Sequence, residues 1–236
     1  MNELIFFFFA LFDMCMVLVL MRFFGRTGLN AAIVMSIILC NIQVLKTVEM
    51  FGLTTTLGNI LYGSIFLATD LLSEFHGRRA ANKAVLLGFA VLVMATLTMQ
   101  VSLLYTPSPE DFAQPHLRAI FDFMPRIALA SLAAYLVSQL HDVWAFLAIR
   151  RLTGGRHLWL RNTGSTMASQ LLDTAIFCSI AFIGVFPWPV LWQIMLTTYF
   201  MKFIVSVLET PFMYIARHMH RSGRLPADIS AEVEPA

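Results

Sequence analysis

Long apolar runs separated by short charged loops constrain this chain more than any other feature of its sequence. Hydrophobic residues make up 58% of the 236 residues and charged residues 13%, whereas soluble domains carry roughly 25% charged residues. The apolar runs are each about 20 residues long, the length that a helix needs to cross the hydrocarbon core of a bilayer. A transmembrane β-barrel would show short stretches of alternating polarity, and none are visible. We therefore predict an all-α polytopic membrane protein.

The apolar runs divide into about seven predicted membrane-spanning segments. The longest polar connection between them, residues 106–122, is rich in proline, and the tail 221–236 has the composition of a disordered segment. The predicted segments are 4–21, 29–51, 56–75, 84–105, 123–149, 164–185 and 190–218.

Basic residues follow every second segment, which predicts the orientation of the chain in the membrane. The loops on the opposite side contain Arg118 and almost no other basic residue. Because basic loops remain in the cytoplasm, we expect the N-terminus outside and the C-terminus inside. The N-terminus carries Glu3 and has no basic leader, so we expect no cleaved signal peptide. The basic loop residues are Arg22, Arg26, Arg78, Arg79, Lys83, Arg150, Arg151, Arg156, Arg161, Arg217, Arg221 and Arg224.

Two copies of one pattern, Ser-Gln-Leu-x-Asp, lie inside the fifth and sixth segments, at 138–142 and 169–173. On a helix, the Gln and the Asp of each copy share one face. An ionisable group at membrane depth costs roughly 3 kcal/mol on insertion scales, so it needs a partner or a task. Because consecutive spans are antiparallel, the two copies suggest a polar site near a local two-fold axis. The alternative is chance occurrence together with ordinary hydrogen bonding between helices.

Other polar residues within the segments could extend this site. Both signs of charge are present, so ion pairs between helices are possible. Lys202 and Glu209 are two turns apart on one helix, and we expect each to meet a partner on another segment. We interpret Asp13 as making a packing hydrogen bond. The intramembrane polar set is Asp13, Asn41, Lys46, Glu49, Asn59, Asp70, Glu74, Arg126, Gln139, Asp142, Gln170, Asp173, Lys202 and Glu209.

Several of these positions have two interpretations. Asp70 and Glu74 lie near the cytoplasmic end, where a charged side chain can snorkel. Arg126 lies towards the outer interface, where anchoring or a salt bridge would explain it. The start of the third segment, 54–63, combines hydroxyls, glycines and Asn59, a pattern typical either of unwound backbone in transporters or of small-residue packing.

The sequence offers no sign of an enzyme. It contains no HExxH motif, no nucleophile elbow and no glycine-rich phosphate loop. The three cysteines, Cys15, Cys40 and Cys178, lie in apolar runs without paired spacing, so we predict neither disulfides nor a metal site. We also predict no cofactor.

A set of short motifs spread over residues 31–217 forms a recognisable pattern. It comprises 41–52, 56–62, 66–70, Glu74, His76, Gly77, 125–128, Ser131, Gln139, Asp142, 159–162, Ser165, Gln170, Asp173, Thr174 and Lys202. This pattern resembles the queuosine precursor transporter family, also called the vitamin uptake transporter type. The resemblance implies an inner-membrane importer of 7-deazaguanines such as preQ0, preQ1 or queuine, and an architecture similar to the six-helix substrate-binding subunits of vitamin importers.

The family is usually described with six spans, so the resemblance implies an extra N-terminal helix over 1–28 and a six-helix core over 29–220, followed by the cytoplasmic tail 221–236. The implied partners are the bilayer and a small 7-deazapurine, with a homodimer plausible and no direct contact with nucleic acid.

A 7-deazaguanine presents its N1–H and 2-amino donors side by side, with the O6 acceptor beyond them. A carboxylate can accept both donors, and an amide can bind O6 or the pyrrole N–H. We therefore expect Asp173 and Gln170 to read the base, Asp142 and Gln139 to form a second wall, and Asn59 and Asp70 to close the cavity. Lys202 would hold an Asp ionised or take part in proton coupling. Candidates for stacking on the ring are Tyr62, Phe66 and Phe177.

Two other hypotheses remain open on the sequence. The chain could be a substrate-capture subunit that needs an ATP-driven partner, since it contains no nucleotide-binding motif of its own. It could also be a membrane scaffold or enzyme without transport activity. Binding measurements and reconstitution without partners separate these hypotheses from a secondary importer.

Overall fold

The computed structural model of the chain describes residues 1–154, 158–223 and 225–226, and only the backbone of residue 150 and of 158–163. Most of the tail predicted to be disordered, 221–236, lies outside the described residues. In chain order the described elements are α1 (Asn2–Gln43), β1 (Thr47–Met50), β2 (Leu53–Thr56), α2 (Asn59–His76), α3 (Arg78–Ser102), α4 (Gln114–Phe121), α5 (Met124–Leu152), α6 (Leu158–Phe182) and α7 (Trp188–Arg221).

Helix α1 consists of two antiparallel arms that meet at Gly25. The backbone of Gly25 has φ 55° and ψ −135°, a conformation that glycine adopts at low cost because it has no Cβ. Two hydrogen bonds show that the second arm returns to the start of the first. The Asn2 amide donates to the carbonyl of Glu49 at 2.9 Å, and the Glu3 carboxylate accepts from the backbone N–H of Phe51 at 3.0 Å. The first two predicted segments therefore form a helical hairpin.

Strands β1 and β2 form an antiparallel hairpin that corrects two predictions. The second segment is predicted to extend to residue 51, but its helix ends at Gln43. The interrupted start of the third segment is a β-strand, and α2 begins at Asn59. The β-branched residues of this stretch favour strands. A tight turn joins the strands at Phe51 and Gly52, where φ is 53° and 75°.

The remaining predicted segments lie in helices with shifted ends. Helix α3 begins at Arg78, six residues before the predicted 84, and the connection 106–122 contains the short helix α4. Among the described residues, four stretches are long and apolar enough to cross a membrane: α1, α3, Gln114–Ile149 and α7. The chain is therefore a mostly helical membrane protein.

Helix α2 packs between α1 and α7 and runs parallel to α7. The Asn59 amide lies 3.4 Å from the Thr198 hydroxyl near the start of α2, and Glu74 forms a 2.9 Å ion pair with Arg217 near its end. Gly63 permits this approach, since a Cβ at this position would overlap the Val205 side chain. The pairing of α2 with α7 sets which residues of the two helices lie at the same depth.

Helices α5 and α6 form a second unit, packed against α7 through a smaller apolar cluster. Arg126 at the start of α5 donates to the carbonyls of Ile180 and Ile183, both at 2.6 Å. It therefore satisfies free carbonyls at the end of α6, a role that a basic side chain suits because the helix C-terminus is electronegative.

Candidate functional site

A cavity of about 630 Å³ lies between α1, α2, α3, α5, α6 and α7. This volume is within the usual range for small-molecule sites. The structure brings together all nine residues predicted for the site, on four different helices. The predicted residues that line the cavity are Asn59, Tyr62, Asp70, Gln139, Asp142, Gln170, Asp173, Phe177 and Lys202.

The cavity is closed at the end covered by the β-hairpin. Strand β2 is held on α7, because the N–H of Thr54 donates to Gln193 at 3.1 Å and the Thr197 hydroxyl donates to the carbonyl of Thr54 at 3.2 Å. At the other end, Asp70 and Gln139 are exposed although they line the cavity. The cavity therefore opens towards the end of the bundle where α2 terminates.

The two Ser-Gln-Leu-x-Asp copies face each other across the α5–α6 interface. The Ser138 hydroxyl donates to Oδ1 of Asp173 at 3.4 Å, and the Ser169 hydroxyl donates to Oδ1 of Asp142 at 3.5 Å. Each serine thus contacts the aspartate of the other copy. These crossed serine–aspartate contacts create the local two-fold relation that the sequence pattern suggests.

The two aspartates nevertheless have different surroundings. Asp173 is 5% exposed and forms an ion pair with Lys202 of α7. Its Oδ2 atom also accepts a 3.2 Å hydrogen bond from the Tyr62 hydroxyl, and the Lys202 ammonium group lies 4.3 Å from the centre of the Tyr62 ring. The expectation that Lys202 meets a partner on another helix is confirmed, whereas the same expectation for Glu209 is wrong, because its described hydrogen-bond partner is Ser206 on its own helix. Most of the hydrogen-bonding capacity of Asp173 is therefore used within the protein.

Asp142, Gln170 and Gln139 keep unused hydrogen-bonding capacity towards the cavity. Asp142 is half-buried, and its carboxylate has a single 3.5 Å contact among the described residues. The Oε1 atom of Gln170 is buried, and no described group donates to it. Buried polar atoms are nearly always hydrogen-bonded, so an unpaired one on a cavity wall points to a partner that enters the cavity.

The other predicted residues complete the walls. The Asn59 amide also donates to the carbonyl of Thr56 at 3.2 Å, which fixes it at the closed end. Tyr62 packs edge-on against Phe66, with ring centres 5.0 Å apart, and Phe177 packs edge-on against Phe182 at 5.9 Å. Aromatic faces therefore lie on two sides of the polar groups.

Sequence reasoning did not assign Asn41 and Glu209 to the site, yet both line the cavity. Asn41 accepts a hydrogen bond from Ser131, which links α1 to α5. The available signal was that each is a polar residue inside an apolar run. Asp13 accepts a hydrogen bond from Ser64 and is not among the lining residues, in agreement with its interpretation as a packing residue.

Comparisons with known proteins agree with the sequence pattern. The family described as "Putative vitamin uptake transporter" matches residues 56–216. The chain is 47% identical over 219 residues to a "Probable queuosine precursor transporter" of Bacillus subtilis (strain 168), covering 92% of this chain and 96% of the relative. It is 38% identical over 145 residues to the "Queuosine precursor transporter" of Escherichia coli (strain K12), covering 60% of this chain and 62% of that relative. No solved structure gives a significant match.

Proposed function

The chain belongs to the queuosine precursor transporter family, a family of multi-pass bacterial membrane transporters and not of enzymes, and from this premise we propose that it imports 7-deazaguanine precursors of queuosine. The proposed substrates are preQ0, preQ1 and queuine. The observation that carries the proposal is the unpaired Oε1 atom of Gln170, which lines a cavity together with a free carboxylate.

The free groups of the cavity suit the edge of a 7-deazaguanine. The Asp142 carboxylate can accept from N1–H and the 2-amino group together, because two parallel acceptors match two adjacent donors. The amides of Gln139 and Gln170 can bind O6 and the pyrrole N–H. Tyr62 and Phe177 supply the aromatic faces between which a flat ring can lie.

This arrangement exchanges the expected roles of the two aspartates. Asp173 already accepts from Lys202, Tyr62 and Ser138, so we assign it to positioning the wall and pairing with Lys202. Asp142 becomes the main reader of the donor edge. Asn59 and Thr198 close the cavity above the ring, since both are buried beneath the β-hairpin.

We further propose seven spans, with the N-terminus outside and the C-terminus in the cytoplasm. The two arms of α1 count as two of these spans, and residues 1–28 and 29–220 remain the extra helix and the six-helix core. In this orientation the cavity opens to the cytoplasm, which corresponds to the inward-open state of a secondary importer. A homodimer stays a prediction.

Uptake in cells that cannot synthesise the precursor tests this function. The wild-type chain is expected to restore queuosine in tRNA when preQ0 or preQ1 is supplied, whereas an empty vector is not. Purified protein reconstituted alone in liposomes then separates the two transport hypotheses. Uptake without ATP supports a secondary importer, and uptake that needs an added ATPase supports a substrate-binding subunit.

A further inference from the structure

Two carboxyl groups lie together at the open end of the cavity, on the wall formed by α2 and α7. Asp70 of α2 and Glu209 of α7 both line the cavity. Asp70 is eight residues after Tyr62 and Glu209 is seven after Lys202, so both lie about 11 Å along their parallel helices from the contact between Tyr62 and Lys202. They are therefore at nearly the same depth on two helices that pack against each other.

These two acids are unusual because neither has a cationic partner among the described side chains. Glu209 is 8% exposed, its Oε1 atom accepts a 3.4 Å hydrogen bond from Ser206, and its Oε2 atom is buried without a partner among the described groups. Asp70 has no ion pair in the described part of the chain. Arg78 at the start of α3 lines the same cavity, but the described structure pairs it with neither acid.

Other acids, on α2 and α6, have partners. Asp173 pairs with Lys202, and Glu74 pairs with Arg217 at 2.9 Å. The Glu209 carboxyl group is buried in a membrane-spanning helix without a described cation, which is unfavourable, so it is expected to have a function. The unpaired and buried Oε2 atom of Glu209 on the cavity wall is the second observation that points to a ligand.

We propose that Asp70 and Glu209 form a cation subsite that accepts a monovalent cationic group. The occupant is either a protonated amine on the substrate or a free cation such as Na⁺. The inference rests on the proposed function, because it concerns the same cavity. A substituent at position 7 of a 7-deazaguanine lies across the ring from the donor edge. When the donor edge binds Asp142 of α5, an aminomethyl substituent at position 7 extends towards α2 and α7, where the subsite lies.

Calorimetry on the purified full chain in lipid nanodiscs tests the subsite with two compounds. One is 7-aminomethyl-7-deazaguanine, which is cationic at neutral pH, and the other is the neutral 7-cyano form. The wild type is expected to bind the aminomethyl form at least about tenfold more tightly than the cyano form, because a charge-assisted hydrogen bond contributes enough free energy for that difference. Glu209→Gln and Asp70→Asn are each expected to lose this advantage while binding of the cyano form changes less than about twofold.

A matched control is Glu74→Gln, which removes the same charge from the helix that carries Asp70. Glu74 pairs with Arg217 and is not among the lining residues, so this variant keeps the preference for the amine. Asp70→Asn keeps the test valid if the Glu209 variant does not fold. This variant is expected to fold, because Asp70 is exposed and has no hydrogen-bond partner among the described residues.

The possible outcomes separate the two sources of positive charge. If binding of the cyano form requires Na⁺ and Glu209→Gln removes that requirement, the subsite holds a free cation. If the wild type binds the cyano and aminomethyl forms with equal affinity, and Na⁺ does not change that affinity, the proposed subsite is refuted and the proposed function stands. If the wild type binds neither compound, the proposed function fails and the ligand assigned to the subsite fails with it.

Discussion

The carboxylate of Asp173 on α6 forms an ion pair with the ammonium group of Lys202 on α7, and both side chains are more than nine-tenths buried. A buried pair of this kind offsets the cost of bringing each charge out of water, but only while both partners are present. The pair therefore ties α6 to α7 at the closed end of the cavity, and its loss should affect stability as well as transport.

Replacing one member of this pair is expected to destabilise the protein more than replacing both. Lys202→Met leaves the buried Asp173 carboxylate uncompensated, which costs about 3–5 kcal/mol. The double variant Lys202→Met with Asp173→Asn removes both charges and is expected to recover much of that loss. Thermal unfolding in detergent measures the difference. A double variant that is as unstable as Lys202→Met would show that the pair does not act as a unit.

The two aspartates are expected to respond differently to the same substitution. Asp142→Asn is expected to weaken substrate binding by about 10- to 100-fold with little change in thermal stability, because its carboxylate is half-buried and weakly bonded. Asp173→Asn is expected to lower stability, since it leaves Lys202 unpaired. Calorimetry and thermal unfolding of both variants check this assignment. Unchanged binding in a folded Asp142→Asn protein would refute its role as a reader of the base.

The close approach of α2 and α7 at Gly63 gives a third prediction. A methyl group at this position would overlap Cγ1 of Val205, so Gly63→Ala is expected to cost about 1–3 kcal/mol despite the higher helix propensity of alanine. Adding Val205→Ala makes room for the methyl group and is expected to restore stability. An increase in the melting temperature of Gly63→Ala alone would contradict the close approach of α2 and α7 at this position.

The tip of the β-hairpin is expected to be strained. Phe51 is 65% exposed and has φ 53°, a conformation that asparagine tolerates better than phenylalanine. Phe51→Asn is therefore expected to raise the free energy of unfolding by about 1 kcal/mol. Thermal unfolding measures this change. A decrease in stability would mean that the Phe51 ring makes a favourable contact with its surroundings, such as the membrane interface.

The polar residues of the site could be predicted from the sequence because apolar runs make each of them conspicuous. The two Ser-Gln-Leu-x-Asp copies can face each other only if their helices are antiparallel neighbours. Helices α5 and α6 have this arrangement. Which aspartate pairs with Lys202 could not be predicted. It depends on how α7 is rotated against α6, and a helical repeat leaves that rotation open.

The β-hairpin was missed for a different reason. Residues 47–51 lie at the end of the second predicted apolar segment, and a short run of this kind fits a strand as well as a helix. The similar depth of Asp70 and Glu209 on the cavity wall was also hidden, because it depends on the parallel packing of α2 and α7. Sequence spacing shows which residues share a helix face, whereas the depth of two distant helices relative to each other requires the structure.

The central claim is that the unpaired amide oxygen of Gln170 binds a 7-deazaguanine, and calorimetry on a matched pair of variants tests it most directly. Gln43 provides the control, because its Oε1 atom is also buried without a described partner but Gln43 is not among the lining residues. Gln170→Leu is expected to weaken binding of 7-cyano-7-deazaguanine by at least about tenfold, and Gln43→Leu to leave it unchanged. Equal affinity in wild type and in a folded Gln170→Leu protein would contradict the claim.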